Sequence, residues 1–156
     1  RLGFRPENLV ANELLDERVE AARNLLPEAI EIIPGDATRI ERPGAFDAVL
    51  LSTVFTSILD DAFQKTLADK AWELVKSGGG IIWYDFVFDN PANSDVRGVK
   101  LQRIKELFPY ASIDAHRVTL APPIARRITA IHPALYNLVN WIPLLRSHLL
   151  CWIAKP

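Results

Sequence analysis

An α/β domain built on a mostly parallel sheet is the fold class that this sequence predicts. Short apolar runs of strand length alternate with segments whose apolar residues recur at helical spacing, in the order strand, helix, strand, strand, helix, strand, helix. Residues 46–51 are nearly all apolar, which is typical of a strand covered on both faces of a parallel sheet. Two more strand-like runs near the end of the chain predict a closing strand pair.

The first half of the chain contains three predicted strands and one helix. Residues 9–11 form a strand-length apolar run, and helical spacing follows over residues 14–26 until Pro27 ends it. A second strand is predicted at residues 29–33 and a third at residues 46–51. This strand-helix-strand order favours parallel pairing.

The next segment repeats the pattern. Asp60 or Asp61 is placed to cap a helix, and the glycine-rich residues 77–80 end it. A strand is predicted at residues 81–87, and Asp95 is placed to cap one further helix. These elements continue the alternation of strands and helices.

The last third of the chain differs from the rest. Residues 112–120 and 148–154 are predicted to form two closing strands, and residues 122–146 a broken helical insertion between them. Prolines and asparagines interrupt the insertion, which excludes a membrane-spanning helix. Trp141 and Leu144 within it are expected to be buried against the sheet, with an apolar pocket or a membrane surface as alternatives.

Composition indicates one soluble domain over residues 1–156, because 49% of the residues are hydrophobic and 24% are charged. The net charge is −1, and the excess of basic groups after residue 110 is too mild to predict nucleic-acid binding. Cys151 is the single cysteine, so no internal disulfide forms and a reducing, cytoplasmic location is expected. The chain opens without a secretory signal and has no methionine, which suggests that its natural start lies upstream.

Two acidic residues follow neighbouring predicted strands. Glu13 ends the first strand, and Asp36 with Ala37 ends the second. Ligands of open parallel sheets bind outside the carboxyl ends of the strands, so both acids are expected to face one crevice. One carboxylate can accept from two ribose hydroxyls, Asp36 can accept from an exocyclic amine, and the Ala37 N–H can donate to a ring nitrogen. The alternative is that Glu13 starts a helix and Asp36 makes a turn.

Four segments in this order and spacing resemble the class I S-adenosylmethionine-dependent methyltransferases. They are residues 12–23 (NELLDERVEAAR), 34–37 (PGDA), 46–52 (FDAVLLS) and 74–82 (LVKSGGGII). The resemblance implies a Rossmann-like fold, with helices on both faces of the sheet and a closing antiparallel strand pair. It also implies S-adenosylmethionine as the cofactor.

The resemblance assigns cofactor-binding residues. Under it, Glu13 binds the ribose, Leu14 lies beside the adenine, and Asp36 with Ala37 binds the adenine edge. The segment from Ser52 to Phe55 lies beneath the methionine part and the methyl group.

The family's first strand and glycine-rich loop are missing, since they should precede Leu9 and only eight residues stand there. Either the chain is a piece of a longer protein, which is the explanation we favour, or something else fills the gap. The missing strand would lie in the middle of the family's sheet, and the edges left open are expected to drive homodimerisation.

Methyl transfer needs few fixed residue types, because the sulfonium already activates the methyl group. Asp85 and then His116 are the candidate catalytic bases, against the alternatives of a turn carboxylate and a solvent-facing side chain. The remaining histidines lack metal-ligand spacing, so no metal site is expected. Arg126, Arg127 and Arg146 are candidates to receive an anionic substrate, or else form a solvated face.

The leading functional hypothesis is O-methylation of a small-molecule, glycan or lipid-like acceptor, with the truncated chain itself inactive as one outcome. A non-catalytic assembly module is the alternative. An NAD-dependent oxidoreductase is a weaker one, because no Gly-x-Gly-x-x-Gly motif occurs.

Overall fold

The computed structural model describes residues 4–156. Contacts divide the chain into two compact units, one up to Glu41 and one from Arg42 onward. Each unit contains its own sheet, and each is described below by itself.

The first unit is a strand-helix-strand motif. Strand β1 spans Val10–Glu13, helix α1 spans Asp16–Leu25 and strand β2 spans Glu31–Pro34. The two strands pair in parallel, with Glu13 opposite Pro34. This confirms the predicted order, with element ends that differ by one or two residues from those the sequence indicated.

The second unit is a four-stranded mixed sheet with helices in its connections. Its elements are β3 (Phe46–Ser52), α2 (Asp61–Leu74), β4 (Val75–Phe86), α3 (Leu101–Leu107), β5 (Ser112–Leu120), α4 (Pro122–Ile131), α5 (Leu135–Asn140) and β6 (Arg146–Ala154). The strand order is β3-β4-β6-β5. Strand β3 runs parallel to β4, whereas β6 is antiparallel to both β4 and β5. The predicted α/β class and its closing antiparallel pair are therefore confirmed.

Helix α2 begins at an aspartate cap. The Asp60 carboxylate accepts hydrogen bonds from the N–H groups of Ala62 at 2.7 Å and Phe63 at 3.1 Å. Leu67 and Leu74 on its apolar face are buried, whereas Phe63 is 41% exposed. The cap fixes where the chain enters the helix and so sets the face that packs on the sheet.

Two glycines at the start of β4 permit close packing. A Cβ at Gly79 would lie 2.5 Å from the carbonyl oxygen of Asp47 on the neighbouring strand β3. A Cβ at Gly80 would lie 2.5 Å from the Trp152 ring on β6. Both positions therefore exclude a side chain without movement of their neighbours.

The core of the second unit is aromatic and aliphatic. Trp83 on β4 is fully buried, its ring centroid lying 4.4 Å from that of Phe55 and 6.4 Å from that of Phe108. Cys151 on β6 is also buried, and desolvation raises the pKa of its thiol to about 11. Cys151 is thus a small core residue, as expected, and not an activated nucleophile.

Four expectations from the sequence are wrong. The glycine-rich residues 77–80 do not end α2, which stops at Leu74, because they belong to β4, where Gly80 pairs with both neighbouring strands. Asp95 caps no helix, because α3 begins only at Leu101 after an N-cap, Lys100, that makes no side-chain bond.

The other two concern burial. Strand β3 has no buried residue, and its Leu50 is 64% exposed, so β3 is not covered on both faces. Trp141 and Leu144 are 85% and 81% exposed and are not buried against the sheet.

Each unit has an open sheet edge. Within residues 4–156, β1 pairs only with β2 and β3 pairs only with β4. No residue in this range forms the first strand of the family resemblance, so the strands are split between two sheets. None of the helices in the same range has the length and apolar character needed to cross a bilayer.

Candidate functional site

The carboxyl ends of β1 and β2 are tied together by backbone and side-chain hydrogen bonds. The Gly35 N–H donates to the Glu13 carbonyl at 2.8 Å, just beyond the last pair of the two-stranded sheet. Gly35 has a φ of 93°, a conformation that favours glycine. The Asn12 amide donates to the carbonyls of Ile33 and Gly35, at 3.0 and 2.9 Å. Asn12 is a site residue that the sequence reasoning missed, although it directly precedes Glu13.

Glu13 lies at the junction of β1 and α1. Its Oε1 accepts from the Leu15 N–H at 3.0 Å, and Leu15 is the N-cap residue of α1, so the carboxylate holds the turn that leads into the helix. The half-buried side chain has a second oxygen and further lone pairs, because an ionised carboxylate offers about four acceptor sites. Glu13 therefore keeps acceptor capacity for a ligand hydroxyl.

Asp36 caps a single 3-10 turn, Ala37–Arg39. Its Oδ1 accepts from the Thr38 N–H at 2.9 Å. Hydrogen bonds from Thr38 hold the pKa of this carboxyl below its usual value, so Asp36 stays ionised at neutral pH. Ala37 is the first residue of the turn, where N–H groups have no partner within the turn.

Glu13 and Asp36 therefore lie at the same end of one small parallel sheet. Glu13 pairs with Pro34, and Asp36 is two residues beyond Pro34 along the chain. Neighbouring strands lie about 4.8 Å apart, a spacing that one nucleoside can bridge. Leu14, directly after Glu13, exposes 65% of its surface and offers an apolar contact beside these acids.

In the second unit, the segment after β3 is held by β4. Ser52 is the exposed last residue of β3, and Thr53 has a φ of 53° and donates through its N–H to the Tyr84 carbonyl at 2.8 Å. Asp85 is buried, and its oxygens accept from the Thr56 N–H at 3.1 Å and from the Thr56 hydroxyl at 2.7 Å. Asp85 thus holds the segment between Thr53 and Ser57 in place.

Phe55 belongs to the same anchored segment. Its side chain is fully buried against Trp83, so in this structure the ring is part of the core. Gln64 on α2 donates to the carbonyls of Phe55 and Ile58, at 3.1 and 2.9 Å. The sequence reasoning missed Gln64 and Thr56. The available signal was that Gln64 is a polar residue at helical spacing from the apolar residues Leu67 and Ala71 of α2.

His116 lies elsewhere in the second unit. Its side chain is exposed on β5, and its Nε2 is 3.1 Å from the Asp114 Oδ1. Strand β6 separates β5 from β4, which carries Asp85, so the structure does not bring the two candidate bases together.

His148 is a buried histidine for which sequence reasoning found no role. Its ring stacks on that of Tyr84 with centroids 4.8 Å apart, and its Nδ1 lies 3.0 Å from the Ser147 hydroxyl. Burial lowers the pKa of His148 from the usual 6.5, against a smaller opposing effect of Asp85. The ring is therefore neutral at physiological pH.

We expect this histidine to make the protein less stable in acid. Because the folded-state pKa lies below the unfolded value of 6.5, the unfolded chain takes up the proton first. The stabilisation is complete above pH 6.5 and is lost as the pH falls towards the folded pKa. Urea unfolding at a series of pH values measures this loss, which should shrink in His148→Gln. The exposed-histidine variant His116→Gln should keep it, and equal profiles for the two variants would contradict the assignment.

The insertion arginines have different environments. Arg146 donates to the carbonyls of Asn140 and Arg117, at 2.7 and 2.9 Å, and so connects the insertion to β5. Arg126 and Arg127 are exposed on α4.

Two of the cavities in the second unit contain charged side chains. One, of about 330 Å³, is lined by Val87, Phe88, Lys100, Leu101, Ala115, Arg117 and Leu149. Its lining contains two basic residues and no acid, and the Arg117 guanidinium lies 5.2 Å from the Phe88 ring centroid. The other, of about 380 Å³, lies against α2 and α3 and includes the ion-paired Asp61, Arg97 and Arg103. No group of three metal-binding side chains occurs among the residues that the structure describes.

Comparison with known proteins identifies the fold. No protein-family model matches the chain, and no curated protein matches it by sequence. A solved S-adenosylmethionine-dependent methyltransferase from Methanosarcina mazei is 10% identical, with a TM-score of 0.64 over 94% of this chain and 81% of the other. One from Archaeoglobus fulgidus is 10% identical, with a TM-score of 0.62 over 92% and 75%.

A third similar structure contains ligands. It is the 1,6-didemethyltoxoflavin-N1-methyltransferase of Burkholderia thailandensis with bound 1,6-didemethyltoxoflavin and S-adenosylhomocysteine. It is 16% identical, with a TM-score of 0.60 over 96% of this chain and 62% of the other. At these identities the likeness establishes the fold.

Proposed function

We propose that this chain, which has the class I S-adenosylmethionine-dependent methyltransferase fold, binds S-adenosylmethionine and takes part in O-methylation of a small-molecule, glycan or lipid-like acceptor. The observation that carries the proposal is the juxtaposition of Glu13 and Asp36. Glu13 ends β1, and Asp36 lies two residues beyond the end of β2, the strand that pairs with β1 in parallel. Two ionisable acceptors at this spacing suit the two polar ends of an adenosine.

Each residue has a defined part in this proposal. Glu13 accepts from the two ribose hydroxyls while its Oε1 holds the turn into α1. Asp36 accepts from the adenine amine, the Ala37 N–H donates to a ring nitrogen, and Leu14 packs beside the base. For residues 52–55 the assignment to the methionine part rests on the family resemblance alone; within the second unit the buried Phe55 ring packs against Trp83.

For methyl transfer, the main task of the protein is to align the acceptor oxygen with the methyl group. The sulfonium supplies an activated methyl group, and the side chains orient the acceptor oxygen and take its proton. Asp85 and His116 are the proposed bases. The buried Asp85 carboxylate also positions residues 53–57 through Thr56, whereas the exposed imidazole of His116 is oriented by Asp114.

Calorimetric titration of this chain with S-adenosylhomocysteine tests the cofactor, with NADH as the competing nucleotide. We expect S-adenosylhomocysteine to bind and S-adenosylmethionine to displace it, with no displacement by NADH. Asp36→Asn is expected to weaken the binding, because the ionised acceptor is lost. Selective binding of NADH would instead favour the oxidoreductase alternative.

The open sheet edges favour a second candidate function, a non-catalytic assembly module. Strand β3 has no buried residue, and its outer edge has no partner within residues 4–156. Such an edge promotes pairing with another chain. Sedimentation of this chain is then expected to show a homodimer, and a stable monomer would count against this candidate.

We also propose a reducing, cytoplasmic environment. Cys151 is the only cysteine in the sequence and is buried in the sheet of the second unit. A chain that depends on disulfides would need paired cysteines. Titration of one free thiol after unfolding of protein isolated under non-reducing conditions tests this expectation.

A further inference from the structure

The insertion between β5 and β6 exposes an unusual amount of apolar surface. Five large residues, named here the insertion face, are exposed: Ile131 by 76%, Leu138 by 70%, Trp141 by 85%, Ile142 by 48% and Leu144 by 81%. Scattered single apolar residues on a surface need no explanation, but five within one short segment do.

The local structure places several of these residues side by side. Leu138 lies in α5, and Trp141 keeps helical dihedral angles as the C-cap of that helix. Leu138 and Trp141 are three positions apart, so they lie on one side of the helical turn, and Ile142 follows Trp141 directly with extended dihedral angles. Ile131 ends α4, and Leu144 lies in the short 3-10 turn that follows α5.

All charged side chains after Asp114 along the chain, which include those of the insertion, are basic. No aspartate or glutamate follows Asp114 in the sequence, whereas four arginines and one lysine do. Arg126 and Arg127 are exposed on α4, within the same segment. A tryptophan and aliphatic surface with neighbouring arginines and no acid matches a lipid surface that carries negative charge.

We propose that the insertion face docks this protein on an anionic lipid surface. The segment then lies in the plane of the membrane interface, with Trp141 and Leu144 among the acyl chains and Arg126 and Arg127 at the headgroups. Tryptophan favours the interfacial depth, because its ring is apolar and its N–H is polar. This inference does not depend on the proposed methyl transfer.

Co-sedimentation of the whole chain with vesicles tests the proposal. We expect binding to phosphatidylcholine vesicles that contain phosphatidylserine, a loss of that binding at high salt, and weaker binding to phosphatidylcholine alone. Trp141→Ala should reduce binding about tenfold or more and remove the blue shift of tryptophan emission. Arg126→Glu with Arg127→Glu should reduce it by about tenfold or more, because each basic group near an anionic surface contributes about fivefold.

Matched variants separate this site from a general loss of charge or apolar surface. Leu25 is 83% exposed in the first unit, so Leu25→Ala removes a similar apolar side chain elsewhere. Arg18→Glu with Arg23→Glu makes the same charge change on the exposed surface of α1. Both controls should bind vesicles like the unaltered chain.

Three outcomes would overturn the proposal. One is no vesicle binding, and another is equal loss in the test and control variants. The third is an oligomer that Trp141→Ala converts to a monomer without vesicle binding by either form, which would make the insertion face a contact between protein chains. Circular dichroism of each variant identifies a loss of folding.

Discussion

Replacing Glu13 with alanine is expected to weaken S-adenosylhomocysteine binding by about 1 to 3 kcal/mol, between about fivefold and 150-fold. The reason is that both ribose hydroxyls lose their charged acceptor. Glu13→Gln keeps one neutral oxygen acceptor, which can still accept from the Leu15 N–H, so its loss of affinity should be smaller. Calorimetric titration of each variant with S-adenosylhomocysteine measures the difference.

The control for this prediction is Glu17→Ala. Glu17 is an exposed acid in the first turn of α1 and follows Glu13, the last residue of β1, by four residues. Its removal should leave the affinity unchanged. Equal affinities of the Glu13→Ala and Glu17→Ala variants would remove Glu13 from the site. A thermal melt of each variant separates a loss of binding from a loss of stability.

Replacing Asp85 with alanine is expected to lower the free energy of unfolding by about 3 kcal/mol. The substitution leaves the N–H and hydroxyl of the buried Thr56 without an acceptor, and the Phe86 N–H loses its bond as well. Asp85→Asn keeps one oxygen acceptor and should cost less. Urea unfolding followed by circular dichroism measures both values.

Asp47 provides the matched aspartate on the surface. Its side chain is 88% exposed and pairs with Lys76, so Asp47→Ala should cost far less stability than Asp85→Ala. Similar stabilities of the two alanine variants would contradict the role given to Asp85. In an active form of the protein, loss of methyl transfer in a fully stable Asp85→Asn variant would support Asp85 as the base and not only as a positioning residue.

Much of the fold could be predicted because periodicity reports local structure. The alternating residues of β5 placed that strand at 112–120, and the structure has it at Ser112–Leu120. The position of Glu13 and Asp36 at the same end of their sheet was also predictable, because the carboxyl ends of parallel strands lie side by side. That inference needs only the order of strands and helices.

The burial of each element and its long-range hydrogen bonds could not be predicted, because they depend on which other elements pack against it. An apolar pattern in the sequence does not show this. Residues 46–51 look like a strand covered on both faces, yet β3 has no buried residue in this chain. Trp141 reads as a core residue and is exposed. The hydrogen bonds between Asp85 and Thr56 join residues 29 positions apart, so no local sequence pattern predicts that they are partners.

The indole of Trp152 lies over the bare backbone of Gly80, where a Cβ would come within 2.5 Å of the ring. In the observed alignment Gly80 faces Ala154 across the strands, and Trp152 faces Ile82. If β6 slid by two residues along β4 so that Trp152 paired with Tyr84, the indole would lie over Ile82 and meet a side chain where it now meets none. One missing methyl group thus penalises misaligned pairing and helps to select a single alignment during folding.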